Sequence, residues 1–227
     1  MKNKILLFLS VLIFLIGFGL FIYPSVSSYF NRVQLNKEAI KVEEKISETD
    51  EKELVDLYNK MQDYNQLIFD ERQIGLDSEE AYEKPCMDLS EYGFKNNEVG
   101  VLNIPSIKLT VPILLGATYE NMFNGVTHLA NTSLPIGGIN TNCVISGHRG
   151  MVSKEMFRNI EKIQLGDQIQ ITNYWETLTY EVKKVEVVEI HEVDKIFIQE
   201  GKDMVTLITC HPYQVFNQRY LVYCERV

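Results

Sequence analysis

Histidine and cysteine are scarce in this chain, four of each, and the scarcity narrows the chemistry it can support. The cysteines, Cys86, Cys143, Cys210 and Cys224, form no CxxC pair and no Cys/His pattern with zinc-site spacing, which argues against a structural metal. They are too few for a disulfide-dense secreted scaffold; one bridge is conceivable, and nothing in the spacing requires it. No basic stripe is visible and the formal net charge is −9, so nucleic acid is not expected as the main partner. A second long apolar run, an internal repeat and a low-complexity tract are all missing. What remains is an ordinary globular composition, 45% hydrophobic and 23% charged over 227 residues. That length allows one domain with a full core plus extensions. No cofactor or metal is expected, and the chain is expected to act as a monomer.

The one long apolar run lies at the start. Lys2 and Lys4 precede a stretch from Ile5 to Tyr23 that only Ser10, Gly17 and Gly19 interrupt. At a rise of ~1.5 Å per residue, such a helix roughly spans a ~30 Å hydrocarbon core. The lysines favour a cytoplasmic N-terminus with the remainder outside, and the run is longer than a usual signal-peptide core. Residues 1–24 are therefore expected to be an uncleaved, single-pass anchor. Residues 25–72 read as a helical arm. From about Gln34 to Arg72 the chain is polar and free of Gly and Pro, and Leu54, Leu57, Tyr58, Met61, Tyr64, Leu67 and Ile68 recur at helical spacing. Asp50, with Glu53 three residues on, supplies an N-cap signal. The stripe is too short for a coiled coil and predicts a helix laying one face on a domain. Over residues 73–97 the periodicity dissolves into Gly75, Asp77-Ser78-Glu79-Glu80, Pro85 and Gly93. This predicts a long irregular connection, with Cys86 as a half-buried loop thiol.

From residue 98 short β-type runs take over. Val99, Val101 and Ile104 open them, and Ile107, Leu109, Val111 and Ile113 alternate strictly. Pro105 and Pro112 mark turns or sheet edges, and Thr118 is placed to cap a short helix over 119–123. Further strands are predicted at 142–146, 168–172, 178–188, 204–209 and 218–224, with a short helix over 154–163 and a turn at Gly166-Asp167. In the last strand Tyr220, Val222 and Cys224 share one face and Leu221 and Tyr223 the other. Many short strands with small helices between them predict a mainly β fold, a closed or nearly closed barrel over 98–227.

Chemistry concentrates at the strand ends. Thr206-Leu207-Ile208-Thr209-Cys210 reads as a buried strand that stops near the cysteine, because Pro212 cannot donate to a ladder and disfavours helix at His211. A thiol facing an open loop is placed for reaction, and it needs a base or cation nearby to act as thiolate. His148 is the candidate base: it follows an apolar strand and is bracketed by Gly147 and Gly150, which permit a sharp turn and close approach. His211 should point to the opposite face from Cys210. His128 is expected to bond a backbone group, and His191 to lie exposed in a charged turn. Arg219, expected on a strand beside Cys210, cannot lose its proton and so can bind a developing oxyanion. Cys143 and Cys224 lie in apolar strands and read as small buried hydrophobes. The candidate catalytic set is Cys210, His148 and Arg219.

These residues carry a resemblance. Thr206-Leu207-Ile208-Thr209-Cys210 resembles the TLxTC signature of sortases, and Gly147-His148-Arg149-Gly150 upstream with Arg219 downstream completes that family's His, Cys, Arg order. His128-Leu129, Ser133 to Gly138 and Met156-Phe157-Arg158 are similar to the class C, pilin-polymerising branch. The resemblance implies an eight-stranded sortase barrel in which Cys210 cleaves a Leu-Pro-x-Thr-Gly-like sorting signal after threonine. It implies acid/base work by His148 and oxyanion stabilisation by Arg219. The implied partners are sorting-signal-bearing surface or pilin proteins and an amine acceptor, a pilin lysine or a cell-wall peptide. The Asp-Pro-aromatic tripeptide typical of the class C lid does not occur, so residues 73–97 match a lid in position only. Housekeeping anchoring of proteins to cell-wall peptide is the alternative; a tethered cysteine protease and a non-enzymatic scaffold are the others.

Overall fold

The computed structural model describes residues 2–48, 51–76, 83–94, 97–150 and 156–227. The first helix, α1 (Lys2–Glu48), carries the apolar run and continues past Pro24 into the polar arm without a break. Its leading residues, Ile5 to Phe21, are exposed, and by length and composition the helix is able to cross a membrane. Further on, Leu35, Ala39 and Val42 are buried, the latter two packing with Val101. One helix thus holds both the apolar stretch and part of the barrel's cover.

The second helix, α2 (Glu51–Asp70), lays the predicted face on the domain. Leu57 and Met61 are fully buried, with Leu54, Tyr58 and Tyr64 packed partly against the same core. Leu67 falls off the stripe at 50% exposure. Asn65 takes the inward place instead: its Oδ1 accepts from the Leu134 N–H (2.7 Å) and its Nδ2 donates to the Leu134 carbonyl (3.4 Å). Buried backbone groups must be paired, so a polar residue is worth more there than another leucine. The Asp50–Glu53 cap lies outside the described residues.

Eight strands follow: β1 (Glu98–Ile104), β2 (Leu109–Leu115), β3 (Val126–His128), β4 (Thr141–Ser146), β5 (Gln168–Thr172), β6 (Thr177–Glu189), β7 (Asp203–His211) and β8 (Gln218–Arg226). They close into a barrel in the order β1-β2-β3-β4-β7-β8-β6-β5. The pairs β2/β3 and β4/β7 are parallel and the rest antiparallel. Alternation decides what each strand buries. Leu102, Ile113, Val205, Leu207, Tyr220 and Val222 join one core, while Val144, Met204, Leu221 and Tyr223 form a second on the opposite face of β4, β7 and β8.

Three elements differ from the sequence reading. Strand β3 was not predicted; three residues behind Gly125 are too few to show a period. Pro112 lies inside β2, where β3 begins pairing only at Ile113, so no partner on that side asks for its missing N–H. The 154–163 segment is a tight 3-10 turn pair over Met156–Lys162, residues 151–155 lying outside the described residues. By contrast α3 (Tyr119–Asn124) has the expected cap, the Thr118 hydroxyl accepting from the Asn121 N–H at 3.1 Å.

His128 bonds backbone as expected. Its Nε2 lies 3.1 Å from both the Thr132 and Ser133 carbonyls, which accept only, so Nε2 carries the proton. Full burial lowers its pKa from 6.5 to about 4, because the charged ring would lose its solvation. Between those two values the unfolded chain binds the proton and the folded chain does not. Stability is therefore complete above pH 6.5 and drains as pH falls towards 4, by on the order of 3 kcal/mol. Denaturant midpoints of wild type and His128→Gln between pH 7.5 and 4.5 are expected to converge as pH falls; parallel curves would refute this account.

Candidate active site

The site is assembled by register. Strands β4 and β7 run parallel with Ser146 beside Ile208, and His148 follows two residues past the end of β4, lining the same cleft as Cys210. Strands β7 and β8 run antiparallel with Cys210 directly opposite Arg219. Cys210 and Arg219 thus face each other on neighbouring strands, about 5 Å apart as paired strands are, and all three side chains line one cleft of about 660 Å³.

Local contacts explain why the site holds its shape. Past the end of β4, the Gly147 N–H donates to the Ile208 carbonyl (3.2 Å) and the Thr209 hydroxyl to the Gly147 carbonyl (2.7 Å). The His148 carbonyl accepts from the Phe157 N–H at 3.0 Å, so the backbone of His148 is fixed from a second element. Phe157 comes so close that a Cβ at position 147 would sit 2.7 Å from its ring; Gly147 is there for that approach, not for a turn. Thr206 works one layer deeper: its hydroxyl donates to the Asn142 Oδ1 (2.8 Å), tying β7 to β4. Strand β7 runs two residues beyond the predicted 204–209, to His211. Arg219 is held by its own connection, its Nη1 donating to the carbonyls of Gln218 (3.0 Å) and Phe216 (3.4 Å).

The other thiols lie elsewhere. Burial pushes the Cys86 thiol up to about 12, and the Cys143 and Cys224 thiols are raised by burial too. Near neutral pH all three stay protonated and inert, leaving Cys210, a half-buried free cysteine, as the thiol that lines the cleft. The other wall is apolar: Leu129, Val188, Ile196, Ile208 and Leu221 line it, all of them in or packed on the second core. These residues were legible as strand or loop hydrophobes, but nothing in the sequence marked them as cleft wall. His191, expected to be exposed, is exposed and sits at the rim with Glu189 and Glu192. Glu83 reaches the same cleft from the irregular connection. Its carbonyl presses on Gly116, where an added Cβ would lie 2.7 Å away. Leu89 and Phe94 of that connection are fully buried in the barrel core.

A closed barrel with cysteine, histidine and arginine on three adjacent strand ends defines a class of thiol-bearing barrel proteins. A sortase-domain model matches residues 102–227, and the chain belongs to the sortase family. Sortase C of Streptococcus pneumoniae superposes with a TM-score of 0.72 at 27% identity, over 84% of this chain and 96% of that one. Sortase C from Clostridium perfringens SM101 gives 0.69 at 30% identity, over 84% and 98%. Sortase D of Bacillus subtilis (strain 168) is 31% identical over 131 residues, 56% of this chain. The chain spans 63% of the length of that curated relative. The expected sortase barrel and the likeness to class C are both borne out.

Proposed function

We propose that this chain is a cysteine transpeptidase, and the convergence of Cys210, His148 and Arg219 on one cleft carries the reading. The Cys210 sulfur adds to the threonyl carbonyl of a Leu-Pro-x-Thr-Gly-like signal, and Arg219 binds the oxyanion. The C–N bond then breaks as His148 gives a proton to the departing glycyl amine, leaving a thioester. An incoming primary amine attacks that thioester and yields its proton to His148. The new amide forms and Cys210 is released as it began. The apolar wall suits the leucine and proline of such a signal. The preferred acceptor is a pilin lysine, on the likeness to the pneumococcal enzyme, whose structure was described for its pilin substrate specificity. Residues 5–23 of α1 hold the protein in the membrane, and Lys2 and Lys4 place the barrel outside.

Full-length protein in detergent, given a Leu-Pro-x-Thr-Gly peptide with either a lysine-bearing pilin peptide or a cell-wall stem-peptide amine, is expected to form the threonyl amide. Preference for the stem peptide would assign a wall-anchoring role. Free threonine acid alone, with amine in excess, would make it a thiol protease. Arg219→Ala is expected to lower kcat by about 10²- to 10³-fold with KM within about twofold, since an oxyanion forms only on the way over the barrier. Arg219→Lys keeps the charge, loses the fork and recovers part of the rate. An Arg219→Ala enzyme within about threefold of wild type would remove the arginine from the chemistry.

A further inference from the structure

Each residue of the proposed catalytic set is followed in sequence by one that turns away from the cleft. Arg149, His211 and Tyr220, next to His148, Cys210 and Arg219, do not line it. They meet behind it around Glu161, which arrives on the Met156–Lys162 turn pair. Glu161 Oε1 accepts from Arg149 Nη2 at 2.5 Å and lies 3.3 Å from His211 Nδ1. The Arg149 guanidinium sits over the Tyr220 ring, 5.4 Å from its centroid, and the His211 ring is 5.6 Å from the same ring. The Arg149 side chain is only 3% exposed and its Nε and Nη1 have no hydrogen-bond partner among the described residues. Its position therefore depends on Glu161.

We propose that Glu161 is a positioning residue for the transpeptidation reaction. One carboxylate oxygen is paired with Arg149 and within ion-pair reach of His211, whose Nδ1 has no hydrogen-bond partner among the described residues. It links the residue after His148 to the residue after Cys210 and so sets how far apart the base and the sulfur stand. The same Arg149 and His211 rest on Tyr220, which brings the Arg219 strand into the clamp. This inference rests on the function proposed above, but its first readout does not need a substrate. Misplacement by about 1 Å at a reacting pair costs on the order of 10²-fold, so a clamp that is not itself near the substrate has a large effect to exert.

The test compares wild type, Glu161→Gln, His211→Asn and the double variant as full-length protein in detergent. Cys210 is first titrated with iodoacetamide, which counts folded sites and gives the alkylation rate from pH 6 to 9. kcat and KM per titrated site follow with the sorting peptide and amine. Glu161→Gln is expected to lower kcat by about 10- to 100-fold and His211→Asn by about 3- to 10-fold, each with KM within about twofold. Both are expected to change the pH dependence of alkylation. The double variant is expected to be no slower than Glu161→Gln alone, because both substitutions break one contact. A merely structural role would lower the number of titrated sites and leave kcat per site unchanged; that result, or independent multiplicative losses, overturns the proposal. Should Glu161→Gln not fold, His211→Asn decides by itself, since it keeps the Arg149–Glu161 pair; an unchanged kcat and alkylation profile refute the clamp. If wild type makes no amide at all, the transpeptidase reading has failed, and the alkylation profiles still decide whether Glu161 positions Cys210.

Discussion

Cys210→Ala is expected to abolish turnover, with a loss of at least about 10⁴-fold, the order seen when a covalent nucleophile is removed. No other group in the cleft can replace the sulfur. Cys86, Cys143 and Cys224 are outside it, with thiols that burial keeps protonated. His148 and Arg219 can assist attack on a carbonyl but cannot form the thioester that preserves the acyl group for an amine. Cys210→Ser is expected to fare little better, since a hydroxyl ionises far less readily than a thiol. Mass spectrometry of enzyme incubated with sorting peptide and no amine checks the claim directly. Wild type should gain the mass of the acyl fragment and the alanine variant should not. Cys210 is half-buried at a strand end, so the variant should stay folded, and near-wild-type thermal melting excludes the trivial explanation. Full turnover by Cys210→Ala would end the covalent mechanism.

How much of this was legible beforehand follows from what a linear pattern can encode. Alternation or an apolar run marked β1, β2 and β4 to β8 because each has at least five residues; β5 and β6 bury one face, whereas β1, β2, β7 and β8 bury both. It missed β3, whose three residues are all buried, and it gave no means of telling that Asn65 would face inward while Leu67 faced out. That Cys210, His148 and Arg219 would share a cleft was readable because strand ends next to Gly and Pro are visible locally, and a thiol, an imidazole and a guanidinium there are unusual. Gly147 is read from the sequence as allowing a sharp turn and close approach to a ligand, and what approaches it is the Phe157 ring. The Glu161 clamp was out of reach entirely. A half-exposed glutamate on a charged segment looks like any solvated residue until the tertiary fold sets it between Arg149 and His211. Long-range pairing of polar groups has no period, and only the three-dimensional structure reveals it.

The proton step makes a separate and stronger demand on His148. An amide nitrogen cannot depart as an anion at neutral pH, so a donor must meet it as the C–N bond lengthens. His148 is set for this just past the end of β4, in the same cleft as Cys210, with its carbonyl accepting from the Phe157 N–H at 3.0 Å. His148→Ala is expected to slow cleavage of the amide peptide by about 10³- to 10⁴-fold. The same substitution should cost an activated ester of the same threonyl peptide less than about tenfold, because its leaving group departs without a proton. The two rates, measured side by side on one preparation, separate the roles the imidazole can play. If amide and ester suffer equally, His148 serves the sulfur rather than the leaving group, and the donor must be sought among the other groups that line the cleft. If neither suffers, a histidine beside a nucleophilic cysteine is here only a neighbour, and the mechanism has to be rebuilt around Arg219.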